Sequence, residues 1–383
     1  MIATPSIVSS RSIATQRPRV LRHRSVDHWL LGAVLFLLGF GVVMVYDASF
    51  FLGQQRFGSP WALVQRHLLF LAIALALGWQ AMQVETRTLE KWAYAIALGA
   101  FVMVLLTLVP HVGQVRNGAR RWLPLGIVAF EPSELLKPAF ALYLARSLHR
   151  KHDRIDDFLF GILPHLLVLG VAAGALLLQP DFGATVVLVA LTFGMLFAAG
   201  ARPLHLCLVA APVIPAMGAL VWFKPYRWAR LVAFLDPWGD PQNGGFQLVQ
   251  SLLSFGSGGV LGTGLGNGKQ KMFYLPEGHT DFIFALIGEE LGLVGGLVVL
   301  ACFAVIALRG FRVATRSSDD FSRLLAFGLT FLLVVEAAFN VAVVVGLLPT
   351  KGLPLPLVSY GGSSMIASIV TVAVLLGLSR DAR

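Results

Sequence analysis

Apolar runs of bilayer-crossing length, separated by short polar breaks, dominate the chain. A membrane-spanning helix needs about 20 mostly apolar residues. That criterion predicts ten spans, at 29–51, 62–82, 89–109, 132–149, 158–178, 182–199, 204–223, 281–308, 321–347 and 359–379. The expected fold class is all-α, a polytopic membrane protein of ten transmembrane helices. Glu134 and Lys137 interrupt the start of the fourth run, and a tight "QPDFG" turn at 179–183 joins the fifth to the sixth. The pattern gives three parts: a basic tail at 1–28, expected to be disordered, a single membrane domain at 29–379, and a short end at 380–383. The first apolar run is longer than the roughly 7–15 residues of a signal-peptide core, so it reads as a retained anchor.

Lysine and arginine set the orientation, because cytoplasmic segments carry the excess. With the N-terminus inside, the inner segments hold more of these residues than the outer ones, which places both termini in the cytoplasm. The longest stretch between spans, 224–280, then forms a large outer loop, and Asp281 stands at the outer end of the eighth span. Composition supports the membrane assignment: 57% hydrophobic, 13% charged, mean hydropathy +0.77. Soluble domains carry about a quarter charged residues. A net charge of +10 raises the question of nucleic acid, but the cations sit in short clusters between apolar runs. That distribution fits topology and gives no nucleic-acid face. Cys207 and Cys302 both lie in apolar runs, so no disulfide framework is implied.

The chemistry begins with the polar residues inside these runs. In "LPEGHTDFIFALIGEELG" (275–292), Asp281 is followed by Glu289 and Glu290. At about 1.5 Å per residue they lie roughly 12–13 Å deeper. Glu336 falls near the middle of the ninth span, and Glu131, Glu134 and Lys137 gather at the outer end of the fourth. Intramembrane charges are costly, so they are paired, hydrated or functional. Mutual neutralisation, for instance of Lys137 by a glutamate, accounts for any one of them; the whole set, gathered toward one face, points to a hydrated cavity. Asp281, Ala285, Gly288, Gly292 and Gly295 share one narrow face of the eighth span. Small residues at such spacing permit close helix packing; a smooth groove for a lipid tail is the alternative.

Some candidates fail on spacing. "GSGGVLGTGLGNGKQK" (256–271) suggests a phosphate loop, but Thr263 stands where the P-loop needs glycine and Gln270 where it needs Ser or Thr. His279 has no partner at metal-ligand spacing. What remains on the outer side is a set of cations in "RNGARRW", "KPYRWAR" and "KQK": Arg116, Arg120, Arg121, Arg227, Arg230, Lys269 and Lys271. Together, on the side that topology depletes of positive charge, they point to an anionic ligand such as a phosphate.

Six motifs, in this order, resemble the SEDS family (shape, elongation, division and sporulation): "NGARRWLPLG", "EPSELLKPA", "LQPDFGATVV", "RWARLVAFLDPWGDPQNGGFQLVQS", "GLGNGKQKMFYLPEGHTDFIFALIGEELG" and "LPTKGLPLPLVSYGGSS". The resemblance covers 29–379, and Lys351 with the "DPWGDPQNGGFQL" loop looks more like the divisional than the elongation branch. Asp47 departs from the family, where a serine is common. The resemblance implies a ten-span peptidoglycan glycosyltransferase of the bacterial inner membrane. It would polymerise lipid II into glycan strands at the division septum, releasing undecaprenyl pyrophosphate. Its implied partners are a class B penicillin-binding protein (the transpeptidase) and other division-machinery membrane proteins. Asp281 of "HTD" falls on the family's essential aspartate, and Glu134, Lys137 and Ser363 on its polar cavity, to which the residue pattern adds Glu289.

Glycosidases use two carboxylates because a sugar alkoxide must be protonated to leave. Pyrophosphate leaves readily, so one base suffices, with arginine or a divalent cation (Mg or Mn) neutralising the charge. No organic cofactor is called for. Two rivals stand beside this reading. A lipid II flippase would use intramembrane charges such as Glu289, Glu290 and Glu336 along a path through the bilayer; a non-catalytic scaffold would recruit the division machinery.

Overall fold

The computed structural model describes residues 25–116, 118–125 and 128–382. The expectations for residues 1–24 and for Arg383 lie outside the described residues. The chain runs through α1 (His28–Phe57), α2 (Ala62–Gln83) and α3 (Thr86–Leu108), then a small antiparallel sheet. Its strands are β1 (Gln114–Arg116), β2 (Ala119–Leu125) and β3 (Val128–Phe130), in the order β1-β2-β3. After it come α4 (Pro132–Arg150), α5 (Leu163–Leu178, entered through a π-helical turn at Phe158–Ile162), α6 (Phe182–Ala198) and α7 (Pro203–Trp222). Two shorter helices, α8 (Pro225–Leu235) and α9 (Phe246–Gly258), precede α10 (Ile283–Arg316), α11 (Asp320–Val344) and α12 (Gly362–Ser379).

A helix lies over each of the ten apolar segments, so the eighth, ninth and tenth predicted spans are α10, α11 and α12. By length and composition, eight of the described helices suffice to cross a membrane. The other two are α6, which has 17 residues, and α4, which carries Glu134, Lys137, Arg146 and Arg150. Neighbours compensate for the polarity of α4: it packs against α3, α6, α11 and α12, and most of its side chains are buried. Central helices buried on every side can carry charge only where partners meet it.

The stretch 224–280 is not an open loop. Within it, α9 packs along α10, and the chain that follows bonds to α10 through its main chain. Leu293 and Val294 donate to the carbonyls of Gly259 and Val260 (2.9 and 3.2 Å), while Thr263 and Gly264 donate to those of Glu289 and Glu290 (3.0 Å each). This contact falls where α10 breaks at Gly292, whose φ of 65° and ψ of −162° suit only glycine. A Cβ there would lie 2.4 Å from the Gly262 nitrogen. At Gly288 it would meet the Phe255 ring at 2.3 Å. The small-residue face below Asp281 is therefore a packing surface filled by α9 and the turn after it, which answers the lipid-groove alternative.

Candidate active site

Asp281 ends a turn that leads from Pro276 into α10. Three consecutive carbonyls of this turn are held from outside. Asn340 of α11 donates to the Asp281 oxygen (2.7 Å), the Ser359 hydroxyl to that of Thr280 (2.6 Å), and the Tyr360 amide to that of His279 (3.0 Å). Ser359 and Tyr360 belong to the loop between α11 and α12. The same loop closes over the carboxylate itself, since a Cβ on Gly352 would lie 2.8 Å from Asp281 Oδ2. Burial, with the Glu277 carboxylate nearby, lifts the Asp281 carboxyl to about 7, against the pull of Arg230 and Arg121. A base with such a pKa is half ionised near neutrality and accepts a proton with useful driving force.

Cations gather around the "QPDFG" turn beside it. Arg121 of β2 donates to the carbonyls of Gln179 (3.0 Å) and Pro180 (2.5 Å) and pairs with Asp181 at 3.7 Å. Asp181 in turn caps α6, accepting from Ala184 at 3.1 Å. From α8, Arg230 donates to the Thr350 carbonyl (3.1 Å), and the Arg227 guanidinium lies 5.2 Å from the centre of the Phe182 ring. Lys351 places its ammonium over the same ring, at 4.4 Å.

The outer cations named from sequence therefore divide. Arg121 and Arg230 act on Asp281, Arg230 also holds Thr350, and Arg227 lies against the Phe182 ring that Lys351 covers. Arg120 instead reaches the Leu108 carbonyl at the end of α3 (3.5 Å), and Arg116 is placed only by its backbone in β1. Lys351 was legible as a family mark but not as a site residue; nothing local separates it from a solvated loop charge.

Lys269 and Lys271 belong to a different arrangement, which explains Glu289 and Glu290. The glycine-rich segment wraps its main-chain N–H groups around these carboxylates. Gly266 and Gly268 donate to Glu290 (2.9 and 3.1 Å), and Lys269 and Gln270 to Glu289 (2.8 and 3.2 Å). Successive amides in such a turn make an anion-binding nest. Here the anion is the protein's own. The Lys271 ammonium then bridges Glu290 (2.7 Å) and Asp47 of α1 (2.5 Å), so the family-atypical aspartate at 47 has a partner.

The interior cavity residues form a triad. Lys137 pairs with Glu134 at 2.9 Å and with Glu336 of α11; Glu289 is not among its partners. These three line a narrow crevice with Pro138, Leu332, Ala367, Ser368 and Thr371. Ser363, at the start of α12, accepts from the Glu131 amide at 2.8 Å and so fixes the entry to α4. The Glu131 carboxyl is lifted to about 8 by burial and by the nearby Asp181 and Glu134. Among the described residues, no three His, Cys, Asp or Glu side chains converge as ligands for a metal ion.

The chain belongs to the FtsW/RodA/SpoVE family of cell cycle proteins, whose model matches residues 28–383. A Geobacter sp. (strain M18) protein called probable peptidoglycan glycosyltransferase FtsW is 44% identical over 362 residues, 94% of this chain and 99% of that one. A protein of the same name from Legionella pneumophila is 41% identical over 381 residues, covering 96% of this chain and 97% of its own. Among solved structures, the rod shape determining protein RodA of Thermus thermophilus aligns with a TM-score of 0.70 at 29% identity, over 95% of this chain and 99% of its own. A chain of a peptidoglycan synthase complex, solved to explain how polymerization and crosslinking are coordinated, aligns with a TM-score of 0.77 at 30% identity, over 93% and 98%.

Proposed function

We propose that this protein is a peptidoglycan glycosyltransferase that polymerises lipid II into glycan strands for the septal wall and releases undecaprenyl pyrophosphate. One observation carries the reading: a carboxyl lifted to about 7 is fixed by its backbone at the head of α10, beside cations that gather around the 179–182 turn. Asp281 takes the proton from the 4-hydroxyl of the acceptor sugar as that oxygen attacks the anomeric carbon of the lipid-linked donor. The bond from that carbon to the pyrophosphate breaks, and its electron pair stays on the pyrophosphate. General-base help of this kind is worth about 10²–10⁴-fold in rate. Arg121, Arg227 and Arg230 supply the positive charge that meets the leaving group.

The finer topology belongs to the same proposal. Ten helices cross the bacterial inner membrane, both termini face the cytoplasm, and Asp281 faces out at the division septum. A class B penicillin-binding protein cross-links the strands as they emerge, and other division-machinery membrane proteins assemble around the pair. The match to a chain of a synthase complex supports that partnership. Mg or Mn, where it takes part, draws on the substrate's own phosphate oxygens as ligands, since among the described residues no three His, Cys, Asp or Glu side chains converge to hold it.

The flippase reading loses ground on a specific observation. Glu289 and Glu290 are held by the glycine-rich segment, and Glu336, at the narrow crevice, is paired with Lys137, so each of the three already has a partner within the protein. The deciding assay is glycan synthesis from lipid II by the purified protein with its transpeptidase in detergent, with and without Mg²⁺ or Mn²⁺. No membrane needs crossing there. Strand formation is expected; its absence, with an active control enzyme in parallel, would favour transport or scaffolding.

A further inference from the structure

Three lysines are drawn into this protein, and two of them are matched. Lys137 meets Glu134 and Glu336; Lys271 meets Asp47 and Glu290. Lys351 is different. Its ammonium rests over the Phe182 ring at 4.4 Å, burial lowers its pKa to about 8, and among the described residues no carboxylate offsets that burial. Arg227 shares the same ring at 5.2 Å. A half-buried ammonium without a counter-ion is costly. An anion bound at this ammonium removes that cost.

The backbone around Lys351 is fixed on both sides. Arg230 holds the Thr350 carbonyl (3.1 Å), and Asn340 holds that of Leu353 (2.7 Å) while its other hydrogen bond holds Asp281. Gly352, the next residue, abuts the Asp281 carboxylate. The unmatched ammonium and the base are thus carried on segments locked to each other through one asparagine. Phe182 follows Asp181, the helix cap that Arg121 engages, so the ring is also anchored.

We infer that Lys351 and Arg227, spaced by Phe182, form the subsite for the pyrophosphate of the polyprenyl-linked donor. The inference rests on the glycosyltransferase reading and assigns its leaving-group end. As the anomeric bond breaks, the added negative charge on the pyrophosphate falls to Lys351; the proton of the acceptor hydroxyl goes to Asp281, and the ammonium keeps its own. A phosphomonoester lipid or an ordinary anionic headgroup offers less charge and lacks the second phosphate that two cations can share.

The test uses the full-length protein with its transpeptidase in detergent and measures binding of undecaprenyl pyrophosphate, undecaprenyl phosphate and phosphatidylglycerol. For the pyrophosphate, Lys351→Gln should weaken binding by about tenfold or more, as expected when one charged hydrogen-bonding partner is lost. Lys351→Arg should stay within about threefold, since it keeps the charge. Phe182→Leu should weaken the same ligand while leaving both cations in place, and it decides the matter if the glutamine variant does not fold. Wild-type affinity for undecaprenyl pyrophosphate in both Lys351→Gln and Phe182→Leu overturns the assignment. So does an equal loss for phosphatidylglycerol, which would make this a headgroup site. If wild type makes no polymer, the parent reading fails on its own, while the binding measurements still decide the subsite.

Discussion

Asn340 donates from one amide nitrogen to the main-chain oxygens of both Asp281 and Leu353, each at 2.7 Å. One side chain of α11 therefore sets the distance between the turn that carries Asp281 and the loop that closes over it. Glu336 lies one helical turn earlier on the same helix, so α11 also carries the partner of Lys137. Asn340→Ala should lower kcat by about tenfold or more, because a misplaced base loses its near-attack geometry, and should also weaken lipid II binding, since it frees the segment that carries Lys351. Its stability cost should be about 1–3 kcal/mol for the orphaned carbonyls. Kinetics that show a rise in KM with kcat intact would remove Asn340 from this role.

Asp281→Asn keeps the size and polarity of the side chain but cannot accept the proton. The variant is expected to insert, to bind lipid II and the transpeptidase, and to make almost no polymer. Near-normal strand synthesis would falsify the base assignment and turn attention to Glu131 or Glu134.

The pH profile of kcat/KM should be bell-shaped and narrow. Asp281 must be ionised, so activity should fall as pH drops through about 7. Lys351 must be charged, so activity should fall again as pH rises through about 8. The charged groups that act on Asp281 are Glu277, Arg230, Glu134 and Arg121, and a change at any of these should move the acid limb. Lys351→Arg is expected to carry the alkaline limb upward while leaving the acid limb in place. An alkaline limb unmoved in that variant would assign it to another group.

Removing Lys137 strands two carboxylates inside the bundle. Lys137→Met should cost about 3–5 kcal/mol, the usual penalty for breaking a buried pair. Lys137→Met with Glu134→Gln and Glu336→Gln should recover much of that loss, since no charge is then left unmatched. Thermal unfolding in detergent reads this directly; additive losses across the three changes would show that the triad does not act as a unit.

Glu290→Ala should loosen the glycine-rich segment. It removes the acceptor for the amides of Gly266 and Gly268 and one of the two partners of Lys271. Amide hydrogen exchange over 259–271 is the measurement, with faster exchange expected there and little change in α11. Unaltered protection would mean that the Gly292 contacts alone hold the segment.

The helical bundle could be read from the sequence because apolar length is a local property, and every predicted run coincides with a helix. Asp281 was legible for the same reason: it stands at the edge of its run. The partners of the buried charges were not. Glu336 and Lys137 lie on helices far apart in sequence, so only packing brings them together. The glycine-rich segment was rejected as a phosphate loop on spacing, and correctly; its amides do bind an anion, but one supplied by the following helix. The helices α8 and α9 escaped notice because they are short and flanked by glycine and proline. The role of Lys351 was invisible because it depends on what its neighbours lack.

The nest around Glu289 and Glu290 also bears on how the protein is made. The segment at 259–271 is synthesised before α10, so its amides leave the ribosome ahead of the carboxylates that will receive them. Until α10 inserts, those N–H groups need water as their partner. Insertion of α10 brings Glu289, Glu290 and the Gly292 break together, and the 259–271 segment can then close on them. The order of translation thus makes α10 the element that completes the nest, while the turn that carries Asp281 still awaits Asn340, Ser359 and Tyr360, which are synthesised later.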